Sequence, residues 1–419
     1  MKNFYLNHIG PVLLNSLITL KWGIFAIFTG ITVGCFASAF YYLLSYVTDI
    51  RTQHPQIIWF LPLAGLAIVG LYHLLHNDND GGTNLVISAI HSGDKIPFRM
   101  APSIFLSTVL THLFGGSAGR EGAALQIGGS IGHALGKLFH FDEKDTHVLI
   151  MCGMSAAFST LFGTPMAATI FPIEMVSVGV MYYMALVPCV VSALTAKAVA
   201  EFFGVAGESF LITDVPVPEI KPILQALFVI GLCAFLSIVF CSLLHKTEHL
   251  YKRLIKNRYL RILIGGTLLV LLTFAIGSND YNGAGMHIIE HAIEGQVHWE
   301  AFLLKMLFTA LTLGAGYKGG EIVPTFFVGA TFGCLVGQLI GLSPSLCAAL
   351  GMISLFCGVT NCPISSLLIS FELFGYDGMP YYLLAIAFSY MLSGYSGLYH
   401  SQKIMYSKYK TDFINKHTS

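Results

Sequence analysis

Apolar positions come in long blocks from one end of the chain to the other, at 12–48, 57–75, 101–114, 176–204, 221–244, 260–276, 301–315, 326–341 and 378–393. Several of them exceed the ~20 apolar residues needed to cross a bilayer core as a helix. Others are shorter, or are cut by Gly and Pro. Polar stretches between them are loops of roughly 10–20 residues, so no extramembrane domain is predicted. Irregular backbone is tolerated at membrane depth only inside protein or beside a water-filled cavity. Broken apolar segments therefore predict an all-α polytopic membrane protein that is a transporter or channel rather than a simple anchor.

Composition agrees. The 419 residues are 55% hydrophobic and 11% charged, with mean hydropathy +0.72. A soluble chain of this size needs more charge to cover its surface. The first block spans about 35 residues and lacks a small-residue cleavage site, so it reads as a retained, tilted helix rather than a removed leader. The net charge is zero and points to no acidic or basic partner. Its distribution says more. KTEHLYKRLIKNRYLR (246–261) is strongly basic, and the last 19 residues carry four Lys. An excess of Lys and Arg marks cytoplasmic segments, which puts both on the cytoplasmic side. The opening MKNFYLNHIG has one Lys and orients little. The nine cysteines lie mostly inside apolar blocks without a CxxC pair and read as small buried hydrophobes.

The chain also repeats itself at an offset of about 200 residues. GMSAAFSTLFGTPMAATIFPIEM (153–175) aligns without gaps on GMISLFCGVTNCPISSLLISFEL (351–373). Gly153 falls on Gly351, Pro165 on Pro363 and Glu174 on Glu372. Gly128, Gly132 and Gly136 fall on Gly329, Gly333 and Gly337. Glycines at spacing four let helices approach closely. Repeated halves are a common way to build transporters, with the site at the repeat interface near the ends of broken helices. The expected division is 1–215 and 216–419, within a single membrane domain.

Each half carries a Gly-rich turn before its Gly-spaced helix: GGSAGREGAALQIGGSIG (115–132) and GAGYKGGEIVPTFFVGATFG (314–333). Such a turn frees backbone N–H groups, and the helix start adds about half a positive charge. Two such starts converging would hold an anion without a full cationic side chain. Pro324 suits the first helical turn. Ionisable residues at membrane depth are costly and are functional candidates by default, which singles out Glu121 and Glu321. An ionised Glu121 at an anion-attracting helix start would fill the anion's own place, and protonation would release it. One proton is thereby coupled to one competing anion. A third turn, NDNDGGTNLVISAIHSG (77–93), offers Thr83 and Asn84 as donors, or simply caps a short helix. His287, Glu290 and His291 follow the H-x-x-E-H order of some zinc proteases. With no third ligand in view, a polar helix end near the membrane surface is the better reading, and an intramembrane metalloprotease stays a remote alternative.

GREG at 119–122, leading into a Gly-spaced helix, resembles the signature of the CLC family of chloride channels and proton-coupled anion antiporters. KGGEIVP (318–324) stands where that family has a GxFxP turn, and GGTNLV (81–86) where it has GSGIP. The three turns and the repeat extend the likeness over the whole transmembrane chain. KGGEIVP resembles the fluoride branch of the family, fluoride/proton antiporters that protect bacteria. Fluoride is small and strongly hydrated, so its site needs dense hydrogen-bond donors.

The resemblance implies a CLC-type fold with two inverted-topology repeats, and a homodimer with one pore per subunit in the bacterial inner membrane, its C-terminus cytoplasmic. It implies fluoride export driven by proton uptake, with a chloride/proton antiporter or a passive chloride channel as alternatives. It makes Glu121 the external gate that exchanges protons and competes with the anion. Thr83, Asn84, Gly119, Arg120, Gly122, Ile322 and Val323 belong to the anion-binding turns, and Tyr399 lines the inner side, with Tyr395 a nearby competitor. Chloride/proton members place a second proton-carrying glutamate where this chain has Met175. Protons would then take another inner route, involving Glu321. Glu174 and Glu372 are expected to be buried structural carboxylates. No enzyme activity, cofactor, metal or nucleic-acid partner is expected.

Overall fold

The computed structural model describes residues 10–78 and 80–418. The orientation reading of the first nine residues lies outside them. The described residues form sixteen α-helices: α1 (Gly10–Gln53), α2 (Leu61–Leu74), α3 (Thr83–Ser92), α4 (Met100–Leu113), α5 (Glu121–Leu138), α6 (Glu143–Phe162), α7 (Pro165–Met175) and α8 (Leu186–Phe202); then α9 (Ile220–Leu254), α10 (Arg258–Ile276), α11 (Met286–Ile293), α12 (Ala301–Ala315), α13 (Ile322–Ile340), α14 (Pro344–Thr360), α15 (Pro363–Phe374) and α16 (Met379–Leu392). Helices of similar length recur in one order, α1–α8 and α9–α16.

Seven spans are long and apolar enough to cross a membrane, and five shorter helices are also apolar. The peripheral helices turn large hydrophobic side chains outward: Leu17, Ile24 and Phe28 on α1, Leu224, Phe228 and Phe235 on α9, Leu271 and Phe274 on α10. Exposed apolar area on this scale fits a lipid solvent, not water. By contrast α5, α6, α13 and α14 are almost wholly buried.

Glycine decides how these inner helices cross. A Cβ on Gly128 would lie 2.1 Å from the Gly153 carbonyl oxygen, and one on Gly153 would lie 2.0 Å from that of Gly128. In the second half the same pair recurs: 2.4 Å for Gly329 against Gly351, 2.0 Å for the reverse. Backbone packs on backbone in both α5/α6 and α13/α14, as the spacing predicts.

The two halves also cap one another. The Glu174 carboxylate accepts from the amides of Ile364 and Ser365 at the start of α15, at 2.9 and 2.8 Å. Glu372 accepts from Met166 and Ala167 at the start of α7, at 2.8 and 2.9 Å. Each helix start has orphan amides and a positive end, and each receives a carboxylate from the other half. The structural role expected for Glu174 and Glu372 is the one observed.

The helical fold carries one small sheet. Three short strands close the C-terminal end: β1 (Ser177–Val178) pairs in parallel with β2 (Lys403–Tyr406), which pairs antiparallel with β3 (Phe413–His417). Gln402 is buried, its amide donating to Met175 O (3.0 Å) and Thr360 O (2.7 Å). Lys408 donates to Asn361 Oδ1 at 2.5 Å and Tyr390 O at 2.9 Å. The tail is thus tied to the end of α14 and the exit of α7, because buried carbonyls there need donors.

Candidate functional site

The two Gly-rich turns meet. Gly119 N donates to Gly320 O and Gly320 N to Gly119 O, both at 2.7 Å, forming an isolated antiparallel bridge. The approach leaves no room for side chains. A Cβ on Gly122 would lie 2.9 Å from Gly320 Cα, and one on Gly320 would lie 2.5 Å from the Gly122 amide nitrogen. The bridge brings the starts of α5 and α13, one from each half, together inside the bundle. The amides of Ile322 and Val323, both buried, lie in the first turn of α13, where a helix has no internal acceptors.

Both glutamate carboxylates lie close to this bridge: a Cβ on Gly119 would be 3.0 Å from Glu121 Oε2, and one on Gly122 would be 3.2 Å from Glu321 Oε2. Glu121 is fully buried. Its carboxylate folds back over its own helix start, accepting from Arg120 N at 3.1 Å and Arg120 Nε at 3.2 Å. The Arg120 guanidinium also binds Glu208 at 2.6 Å and lies over the Tyr41 ring. Arg120 therefore holds Glu121, and its side chain stands apart from the cavity described next.

That cavity, about 200 Å³, is lined by Thr83, Asn84, Gln126, Glu321, Tyr399 and His400, among others. Thr83 receives a hydrogen bond from Gln126 Nε2 at 3.2 Å and reaches Gly122 O at 3.5 Å. Asn84 accepts from Ser401 N at 3.0 Å, which ties the first turn to the C-terminal segment. Three polar atoms here are buried without a hydrogen-bond partner: Tyr399 Oη, Glu321 Oε2 and Gln126 Oε1. Unsatisfied buried groups are costly and mark where a ligand or water belongs. Of the two tyrosines, only Tyr399 is in the cavity; Tyr395 bonds to Ser407 elsewhere.

Of the sequence-predicted residues, Thr83, Asn84, Glu321 and Tyr399 line this cavity; Gly119 forms the bridge and Gly122 packs against Gly320; Ile322 and Val323 lie in the first turn of α13; Glu121 and Arg120 are not among its lining residues. Sequence reasoning passed over Gln126, although a lone amide in a buried Gly/Ala helix is a visible signal. It also passed over Asp80, which pairs with Lys318 at 3.1 Å, and over His245, Glu248 and His400 on the cavity wall. His245 and Glu248 share one turn of α9, while His400 comes from a segment remote in sequence.

The H-x-x-E-H residues form no metal centre. His287 approaches Asp280 at 3.5 Å, and no group of three or more His, Cys, Asp or Glu suited to a metal exists among the described residues.

Two repeats capping one another, with paired helix starts at their interface, define a polytopic transport protein of the CLC type. The chain belongs to the family described as "Voltage gated chloride channel", whose profile matches residues 64–394. It is 37% identical over 399 residues to a "Chloride/fluoride channel protein" of Pseudomonas syringae pv. tomato, covering 93% of this chain and 88% of the relative. It is 27% identical over 385 residues to the "H(+)/Cl(-) exchange transporter ClcA" of Vibrio vulnificus, covering 83% and 81%. Among solved structures, a CLC-type fluoride/proton antiporter superposes with TM-score 0.88 at 32% identity, over 91% of this chain and 98% of the other. A slow cyanobacterial Cl⁻/H⁺ antiporter superposes with TM-score 0.76 at 19% identity, over 89% and 94%, a likeness of fold alone.

Proposed function

We propose that this protein is a fluoride/proton antiporter, exporting fluoride in exchange for protons moving inward. The observation that carries the reading is the Gly119–Gly320 bridge. It puts two helix starts, two buried glutamates and a donor-lined cavity within one small region. Thr83, Asn84 and Tyr399, with the amides of Ile322 and Val323, replace the hydration shell of a small hard anion. Glu121 competes with the anion while ionised and leaves its helix start once protonated, which exchanges a proton for a halide. Arg120 sets the resting pose of that carboxylate. Glu321, on the cavity side, takes the inner proton step, since Met175 carries none. The name of the Pseudomonas relative and the antiporter superposition both support fluoride.

Residues 1–215 and 216–419 are the two repeats of one membrane domain. The protein works as a homodimer in the lipid bilayer of a bacterial inner membrane, with a pore in each subunit and the C-terminal strands on the cytoplasmic side. The basic end of α9 and the Lys-bearing tail support that orientation.

Reconstitution in liposomes tests the reading. Fluoride efflux should run well ahead of chloride efflux, and a fluoride gradient should drive protons uphill. Equal chloride and fluoride rates would point to the chloride exchange found in the name of the Vibrio relative. Fluoride flux without proton movement would point to a passive channel, as the Pseudomonas relative's name reads.

A further inference from the structure

We propose that Glu248, together with His245 and His400, is the inner proton portal that exchanges protons between Glu321 and the solution; this rests on the antiport reading above. A second cavity of about 490 Å³ lies beside the first. Glu248, Tyr317 and Lys318 line both, so Glu248 stands where the two join. Glu321 lines the inner one with a carboxylate oxygen that is buried and unpartnered. A carboxylate with one unpartnered oxygen beside a cavity with room for several waters is placed to pass a proton through them.

The wall of the inner cavity also carries two imidazoles. His245, one turn before Glu248 on α9, and His400, next to Tyr399 in sequence, lie tilted to one another with ring centroids 4.0 Å apart. His245 Nε2 also meets Leu398 O at 3.4 Å. Both rings line the inner cavity with Glu248 and Glu321. The Glu248 side chain is 46% exposed, so it meets solution directly.

Charged groups face Glu248 from several elements. Lys252, one turn further along α9, pairs with it at 2.5 Å. Arg258 and Arg261 from α10 and Lys318 from the turn before α13 face the same opening, against Asp78 and Asp80 from the turn before α3. Tyr72 and Tyr317 complete the wall. In the export direction the Glu321 carboxylic acid loses its proton to cavity water as the Glu248 carboxylate gains one. Glu248 then gives that proton to solution and is again a carboxylate, while Glu321 stays ionised until the next proton reaches it from the outer side.

The full chain in liposomes, driven by a fluoride gradient with equal pH on both sides, separates the alternatives. The wild type should drive protons from pH 5 to pH 7.5. E248Q should slow proton and fluoride exchange about 3- to 10-fold at pH 7 and approach the wild-type rate near pH 5, where bulk protons are abundant. E248D should restore the neutral-pH rate, and H400Q, at an exposed position, should show a smaller slowing of the same pH sense. A wild-type rate for E248Q at every pH overturns the proposal. So does a loss that is equal at all pH values and shared by E248D, which would mark a structural role. A wild type that moves fluoride without protons removes the antiport reading itself, and that result is seen before any variant is made.

Discussion

At the scale of single residues, the site separates two kinds of buried polar group. Glu121 is satisfied by its own turn through Arg120, whereas Tyr399 Oη has no partner. Their substitutions should therefore differ. E121Q removes the charge that competes with the anion, so proton pumping should vanish while passive fluoride flux persists, as read by paired fluoride and pH electrodes; pumping that survived would end the gating role. Y399F deletes a hydroxyl that makes no protein hydrogen bond, so thermal stability should hold within about 0.5 kcal/mol. Fluoride binding should weaken, because a hydrogen bond to a charged ligand contributes about 1.5–3 kcal/mol, roughly 10- to 150-fold in affinity. Titration calorimetry on the purified variant checks both numbers; an unchanged affinity would take Tyr399 out of the anion's coordination.

At the scale of elements, paired features hold the two halves in register. The crossings at Gly128/Gly153 and Gly329/Gly351 have carbonyl oxygens where a Cβ would go. G351A should cost about 1–3 kcal/mol or more, since backbone cannot give way as a side chain can. Its unfolding temperature in detergent should fall by several degrees; an unshifted transition would mean that the helices separate freely. The crossed caps offer a gentler test. E372Q keeps one acceptor for the start of α7 but loses the charge, and should destabilise by about 1 kcal/mol while leaving the fluoride-to-proton ratio unchanged. A changed ratio would show that Glu372 takes part in transport.

At the scale of the whole molecule, the C-terminal strands complete the cavity. Tyr399 O accepts from Thr418 Oγ1 at 2.6 Å, Ser401 N donates to Asn84, and Lys408 donates to the Asn361 side-chain carbonyl after α14 and to Tyr390 O on α16. A chain ending at Gln402 would lose β2, β3 and Lys408 together. The expected outcome is a protein that still inserts and behaves as one species on size exclusion, but whose fluoride flux drops at least tenfold, because Tyr399 is no longer held against the α3 turn. Full activity after truncation would show that the tail is dispensable for the site.

Much of this was legible along the chain. Apolar block lengths showed the membrane class because a bilayer demands a minimum helix length. The matching Gly, Pro and Glu of the two halves showed the repeat, because close helix crossing and helix starts permit few residue types. Glu121 and Glu321 were visible as ionisable residues in Gly-rich turns at membrane depth, Thr83 and Asn84 as donors in a polar turn before a short helix, and Tyr399 only through the resemblance to the CLC family. Only the folded chain decided that Gly119 pairs with Gly320, that Glu174 and Glu372 cap the opposite half, that Arg120 serves Glu121, and that Gln126, His245, Glu248 and His400 share walls with the site. Each of these joins residues remote in sequence or fixes which way a side chain turns. Local pattern carries element type and spacing, while such meetings depend on how helices pack in three dimensions.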